Sequence, residues 1–226
     1  MVKRLFDVLC ASLALVVTAP LLALAAIGIK LTDPRGGPVL YRARRVGYLG
    51  REFTMLKLRT MRRSTEGDAG PLITGMRDER IYPFGRLLRR MKIDELPQLF
   101  NVLRGDMAIV GPRPEDPVIV RAHYSVTDLE TLGVRPGLAS PGSIYQYTAG
   151  DKLLTGNDPE SRYVDKLLKT KLALDRVYIR KASLRQDLAI VGRTLLAIGA
   201  VALGRRKFAN PPEMHAARRL LAEDRS

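Results

Sequence analysis

The sequence predicts a helix-rich mixed α/β fold of the α+β kind, held at a membrane by its N-terminus. Three features predict it. Residues 8–29 carry no charged side chain, residues 38–61 hold two short alternating runs separated by glycines, and Leu96, Leu99, Phe100 and Leu103 repeat at helical spacing. A chain of 226 residues with 46% hydrophobic content suffices for one membrane element and one compact domain. The expected division is a re-entrant membrane helix over 1–36, a cytoplasmic globular domain over 37–187, an interfacial amphipathic helix over 188–208 and a polar tail over 209–226.

The N-terminal run sets the membrane question. About 22 helical residues at a rise of 1.5 Å reach roughly 33 Å, enough to cross a bilayer. Pro20 stands in the middle, where it removes a helix hydrogen bond. Basic residues flank both ends, Lys3 and Arg4 before and Lys30 and Arg35 after, so positive charge marks both ends as cytoplasmic. A helix broken at Pro20, entering and leaving by one leaflet, satisfies both observations, and Thr18 could bond a carbonyl that the proline frees. The alternatives are a kinked spanning helix and a signal peptide. The run is long for a signal peptide, and cleavage after Ala19 would place Pro20 directly after the cut. Asp7, one turn from Lys3 and Arg4, reads as a local ion pair.

Residues 188–204 are apolar apart from Arg193 and are followed by Arg205, Arg206 and Lys207. This suits a helix in the headgroup layer of an anionic leaflet; a buried helix of the domain is the alternative. The tail from Ala209 carries no assigned chemistry.

Charge narrows the partners. Thirty-eight Lys and Arg against 23 Asp and Glu give +15, which points to acidic lipid, a phosphorylated small molecule or nucleic acid. With no Trp, 6% aromatics and no recognised motif, nucleic acid is not expected. The single cysteine, Cys10, lies in the apolar run, so no disulfide framework or Cys-based metal site can form. His123 and His215 are the only histidines, too few for evident zinc or Ser-His chemistry, and catalysis falls to carboxylates and basic groups. No glycine-rich phosphate loop follows a strand, which excludes a doubly wound nucleotide-binding sheet.

Val39–Tyr41 and Phe53–Leu58, separated by Gly47 and Gly50, predict a basic β-hairpin with Lys57 and Arg59 on one face of its second strand. Residues 64–79 read as a mobile loop. Phe84–Met91 reads as a short helix carrying Arg86, Arg89 and Arg90. A second helix follows Asp94-Glu95, with Pro97 in its first turn and Gly105 as its cap. Asp94 is thus either a plain N-cap with Glu95 as a first-turn charge, or a reactive carboxylate. A helix N-terminus keeps a carboxylate ionised, and an ionised carboxylate can attack phosphorus. Its neighbour could hold the Mg²⁺ that accompanies a diphosphate, and the upstream arginines could neutralise phosphate oxygens. After Gly105 a brief apolar strand leads into Gly111-Pro112-Arg113-Pro114, a stiff turn presenting one arginine; Arg135-Pro136-Gly137 is a second such turn.

Taken in order, these segments resemble the bacterial sugar transferase family, the monotopic phosphoglycosyl transferases that start glycan assembly on polyprenyl phosphate. The likeness is carried by Lys3-Arg4-x-x-Asp7, the central proline, Lys57-Leu58-Arg59-Thr60-Met61, the block from Asp94 to Pro114, Arg135-Pro136-Gly137 and Asp187-Leu188, over roughly residues 2–200. The resemblance implies that the 37–187 domain is catalytic, on the cytoplasmic face of the bacterial inner membrane. It also implies a ping-pong reaction. Asp94 attacks the sugar-bearing phosphate of a UDP-sugar, releasing UMP, and polyprenyl phosphate then takes the phosphosugar. By the same resemblance Glu95 associates with Mg²⁺ and Arg89 and Arg113 offset phosphoryl charge. Lys57, Arg59, Arg86 and Arg135 complete the expected phosphate-binding set, Pro20 is the membrane break, and anionic lipid and downstream glycosyltransferases are further expected partners. The chain departs from the family pattern in Ala19-Pro20 where Ser-Pro is usual, in Leu58 where Phe is common, and in Leu138–Tyr145, where a Trp-Ala-Gln pattern is missing; the last leaves the sugar open. A non-enzymatic basic domain binding acidic lipid is the competing class.

Overall fold

The computed structural model describes residues 2–32, 37–62, 78–153 and 159–224. Arg35 and nearly all of the predicted 64–79 loop lie outside them. The first element is α1 (Val2–Thr32), a single helix that continues through Pro20. The expected break is therefore corrected. A proline removes only the bond from its own nitrogen, and a helix can bend past that gap without ending. Thr18 does bond backwards, but to the Ala14 carbonyl at 2.7 Å, not to the Val16 carbonyl that Pro20 leaves free.

Both ends of α1 are fastened to the same domain. Near its start, Lys3 Nζ lies 2.7 Å from Asp187 Oδ2, and Asp7 Oδ1 accepts the Ile109 N–H at 2.9 Å. Arg4 donates to the Val102 and Leu103 carbonyls at 2.6 and 2.9 Å. Asp7 is thus more than a local ion pair; it holds a strand. Near the other end Ala25 and Ile29 pack on Leu58 and Leu88, and Phe84 lies against Gly28 so closely that a Cβ there would sit 2.5 Å from the ring. Between these anchors Leu9, Leu13, Val16, Val17 and Leu24 point outward. α1 is long and apolar enough to cross a membrane.

The hairpin forms as the alternation predicts: β1 (Leu40–Val46) pairs antiparallel with β2 (Glu52–Leu58), Leu40 opposite Leu58 and Val46 opposite Glu52. Then follow α2 (Pro83–Arg90), a 3-10 turn (Ile93–Glu95), α3 (Gln98–Arg104), β3 (Ala108–Val110), α4 (Pro117–His123), a 3-10 turn (Asp128–Gly133) and β4 (Gly137–Ala139). β3 and β4 are parallel, Ala108 beside Gly137 and Val110 beside Ala139. Gly137 is required there, since a Cβ would lie 2.1 Å from the Gly111 nitrogen.

The remainder is helical: α5 (Pro141–Leu153), α6 (Pro159–Arg162) with a π turn (Tyr163–Leu168), α7 (Lys169–Arg180), α8 (Leu184–Ala202) and α9 (Met214–Glu223). α8 starts at Leu184, capped by the Ser183 hydroxyl, which accepts the Gln186 N–H at 3.3 Å. It buries Ile190 and Ala197 and exposes Leu188, Leu195 and Leu196. Arg193 is not turned to a headgroup layer: it makes a two-bond pair with Glu213 at 2.9 and 2.6 Å. The expected polar tail is also corrected, because its Met214, Ala217 and Leu220 recur at i, i+3 and i+6 and bury against Ala173, Leu174 and Val177 of α7.

Two side chains fix the parts around the centre of the domain. Asn101, fully buried, accepts the Leu56 N–H at 3.0 Å and donates to the Thr54 carbonyl at 2.8 Å, tying α3 to the edge of β2. Asp128 accepts from Ser125 N–H at 2.9 Å and from Lys169 Nζ at 2.6 Å, joining α4, its following turn and α7. Gly85 allows α2 to meet the end of β2, since a Cβ would stand 2.2 Å from the Thr60 carbonyl oxygen.

Gly85→Ala is expected to cost about 1–3 kcal/mol by overpacking, read as a lowered thermal midpoint in detergent; an unchanged midpoint would refute the close approach. Burial alone would raise the Asp128 carboxyl, but Lys169 and Ser125 hold it below the ordinary aspartate range. A depressed carboxyl contributes stability that is present above its unfolded value of about 3.9 and is lost as pH falls through the folded value. Asp128→Asn is accordingly expected to lose about 1–2 kcal/mol at pH 7 and progressively less as pH falls below the unfolded value of about 3.9. Urea unfolding across a pH series from 7 downward measures this, and a loss that does not shrink with acidification contradicts it.

Candidate active site

The Lys92 backbone adopts φ +58°, a left-handed conformation that a lysine takes only at a cost of roughly 1–2 kcal/mol. That reversal ends α2 and starts the 3-10 turn that carries Asp94 and Glu95. α3 begins only at Gln98, with Pro97 at its N-cap position, so Asp94 caps no helix. This corrects the expected geometry: the Ser/Asp-type cap signal and the turn signal coincide here, and the strained lysine decides for the turn.

Glu95 is the hub. Arg113 grips it with two bonds, Nη2 to Oε1 at 2.6 Å and Nη1 to Oε2 at 3.2 Å. Lys92 Nζ lies 3.1 Å and Lys57 Nζ 3.5 Å from the same Oε1. Burial would raise the Glu95 carboxyl, but Arg113, then Lys92 and Lys57, hold it well below the ordinary carboxylate range. Lys57 itself is pushed down to about 8 by burial, with Glu95 opposing. Asp94 differs. Burial, and then the Glu95 carboxylate beside it, raise its carboxyl, while Lys57, Lys92 and Arg89 lower it. Its Oδ1 is buried and has no hydrogen-bond partner among the described residues. The pair thus divides into a saturated carboxylate and one with an open oxygen, the division expected of two groups with different tasks.

Arg89, the α2 arginine that faces these carboxylates, donates to Thr60 Oγ1 at 2.8 Å and is thereby aimed. Lys57, Arg89 and Arg113 are brought together around Asp94 and Glu95. Arg86 lies on the exposed face of α2. Arg59 is buried with its guanidinium against Gly37. Arg135 donates to the Gly105 carbonyl at 3.0 Å and stands over the Tyr48 ring at 5.8 Å, at the end of α3. Pro20 is far along α1, inside the helix. Two residues escaped the sequence reading. Lys92 was hidden because nothing marks a left-handed lysine, although its place two residues before Asp94 was visible. Gln98, one turn beyond Asp94, is fully buried with neither end of its amide bonded among the described residues.

No group of three metal-ligating His, Cys, Asp or Glu side chains occurs among the described residues. A Mg²⁺ ion does not require one, because it binds through one or two carboxylates, water and substrate phosphates. Glu95 offers hard carboxylate oxygens of that kind and would be free to hold such an ion if Arg113 turned to another anion, while Asp94 Oδ1 stays open beside it. The residues therefore fit such an ion.

The chain matches the Bacterial sugar transferase family over residues 1–200. It is 41% identical over 200 residues to a UDP-glucose:undecaprenyl-phosphate glucose-1-phosphate transferase of Caulobacter vibrioides, covering 85% of this chain and 68% of that protein. A transferase of the same name from Xanthomonas campestris pv. campestris is 37% identical over 201 residues, covering 87% of this chain and 38% of its relative. The exopolysaccharide production protein ExoY of Rhizobium meliloti is 36% identical over 214 residues, covering 88% of this chain and 85% of that protein. With the carboxylate pair, its cations and the matched span in agreement, the chain belongs to the bacterial sugar transferase family and is a transferase.

Proposed function

We propose that this protein transfers a phosphosugar from a UDP-sugar to polyprenyl phosphate at the cytoplasmic face of a bacterial membrane, giving a polyprenyl diphosphate-sugar and UMP. The observation that carries the reading is the contrast at the centre of the domain: a buried Asp94 oxygen without a partner beside a Glu95 held by three cations. Asp94 Oδ1 attacks the sugar-bearing phosphorus. The bond from that phosphorus to the bridging oxygen breaks, UMP leaves with the electron pair, and an aspartyl phosphosugar remains. An oxygen of polyprenyl phosphate then attacks the same phosphorus, and the Asp94 carboxylate departs unchanged.

The cations do the electrostatic work. Arg113, Lys92, Lys57 and Arg89 are already aimed at the carboxylates, so the diphosphate meets oriented donors and little reorganisation is needed as charge shifts to the leaving oxygen. Mg²⁺, held by Glu95 with substrate phosphates, would add Lewis-acid neutralisation of the diphosphate. A raised carboxyl also makes Asp94 a stronger nucleophile when ionised than a surface aspartate.

A lipid acceptor suits the surroundings. A groove of about 540 Å³ lies between α1 and the domain, lined by Leu15, Ala19 and Ala23 on one side and Leu58, Pro97 and Phe100 on the other. Pro97 is three residues from Asp94, and the groove is apolar, as an isoprenoid chain requires. The outward face of α1 and the exposed leucines of α8 would rest in the bilayer, with basic residues on anionic headgroups. The product would feed downstream glycosyltransferases of an exopolysaccharide, O-antigen or glycoprotein pathway.

Purified protein in nanodiscs with Mg²⁺, polyprenyl phosphate and a panel of UDP-sugars is expected to release UMP with one donor. Asp94→Asn should reduce turnover by about 10³-fold or more, as loss of a nucleophile does, and chelation should abolish it. Equal turnover by Asp94→Asn sinks the aspartyl intermediate, and no release with any donor sinks the reaction itself.

A further inference from the structure

Behind the Pro112-Arg113-Pro114-Glu115 turn lies a second set of ionisable groups that the proposed reaction does not use. Lys171 and Asp175, one helical turn apart on the inner face of α7, are both 0% exposed. Lys171 Nζ donates to Glu115 Oε1 and, at 2.6 Å, to the Tyr163 hydroxyl; that hydroxyl donates in turn to Glu115 Oε1. Asp175 Oδ1 accepts the Gly142 N–H at 2.8 Å, and the Arg113 backbone N–H and Ser140 hydroxyl face the same carboxylate. The fit is close: a Cβ on Gly142 would lie 2.6 Å from the Lys171 carbonyl oxygen and 2.7 Å from Asp175 Oδ1. The Glu115 carbonyl completes the hold by accepting the Val46 N–H at 2.9 Å.

Stability is a poor explanation of this arrangement. Removing ions from water is costly, and well-packed apolar residues commonly replace a buried ion pair without loss. What the network does supply is position. It grips the turn at the Glu115 side chain and sets the Asp175 carboxylate opposite the Arg113 amide, while the guanidinium is the group that holds Glu95 with two bonds. We infer that Lys171, acting with Glu115 and Tyr163, is a positioning residue that fixes the Arg113 turn and so sets where the guanidinium meets the phosphates. This inference rests on the phosphosugar-transfer reading.

The test uses the full chain in nanodiscs. The double variant Lys171→Met/Glu115→Gln removes the charges of the bonded pair together and leaves Asp175 to the Gly142 amide. Its thermal midpoint is expected within a few degrees of wild type, with kcat for UMP release lowered about tenfold or more and donor KM within about threefold, as for misplacement of a group acting on the transition state. In an Arg113→Lys background the same pair of substitutions should lower kcat much less, because the effect runs through Arg113. Tyr163→Phe, which deletes one hydroxyl, should give a smaller loss in the same direction. Hydrogen exchange gives a readout that needs no activity: the Arg113 and Glu115 amides should exchange about tenfold faster in the double variant. Wild-type kcat and unchanged exchange in the folded double variant overturn the inference, as does an equal loss with and without Arg113→Lys. Should wild type release no UMP, the transfer reading fails, and the exchange rates alone decide whether the clamp exists.

Discussion

The bidentate pair between Arg113 and Glu95 is the contact on which the centre of this molecule turns. Both side chains are largely removed from water, and a carboxylate in such a place keeps its charge only if cations accompany it. Three do, and they come from three separate elements: Lys57 from β2, Lys92 from the reversal after α2, and Arg113 from the turn after β3. One carboxylate therefore locks a hairpin strand, a strained turn and a parallel-strand crossover into a single geometry. Asp94 gains from this arrangement indirectly. It shares the cations but not the hydrogen bonds, which leaves its oxygen both buried and open.

The same economy governs the way the domain meets α1. Lys3 and Asp7 reach Asp187 and the Ile109 amide, and Asp187 also accepts the Tyr178 hydroxyl at 2.6 Å, so the start of α1 is joined to β3, α7 and α8 at once. The far end is joined to β2 and α2 through Ile29 and Phe84. Since β2 carries Lys57 and β3 leads into Arg113, the two fastenings of the apolar helix sit on the two strands that deliver cations to Glu95. Any displacement of α1 against the domain would therefore be felt at the carboxylates.

The sequence was informative where chemistry is local and uninformative where it is long-range. The hairpin followed from alternation and two glycines, because a strand pair closed by a short turn is decided by nearby residues. The Asp94-Glu95 pair and Arg113 stood out because charged residues at a short turn and between two prolines are conspicuous. Asn101 read only as part of a helix, yet it bonds β2 some 45 residues away. Lys171 and Asp175 drew no attention in the sequence, because the segments that enclose them lie 33 to 56 residues away. The division of the tail failed for the same reason, since the apolar face of α9 has meaning only against α7. At Pro20 and at Asp94 a local rule was applied correctly and lost to context: packing at both ends carries α1 through its proline, and the Lys92 reversal delays α3.

Charge gives the last constraint. Around Asp94 and Glu95 four cations, Lys57, Arg89, Lys92 and Arg113, face two carboxylates, so the site is positive before any ligand arrives. Water screens such an excess at a surface, but Glu95 and Arg113 are too enclosed for that. The diphosphate of the proposed donor would bring the missing negative charge, at low cost if Arg113 exchanged one planar oxygen pair for another, because a guanidinium binds a carboxylate and a phosphate with the same fork. Under the proposed reaction such an exchange would release Glu95 from its strongest partner just when a divalent cation would need it. Under the proposed function the Arg113–Glu95 pair would then be the resting arrangement of a site whose charges balance when an anionic donor binds.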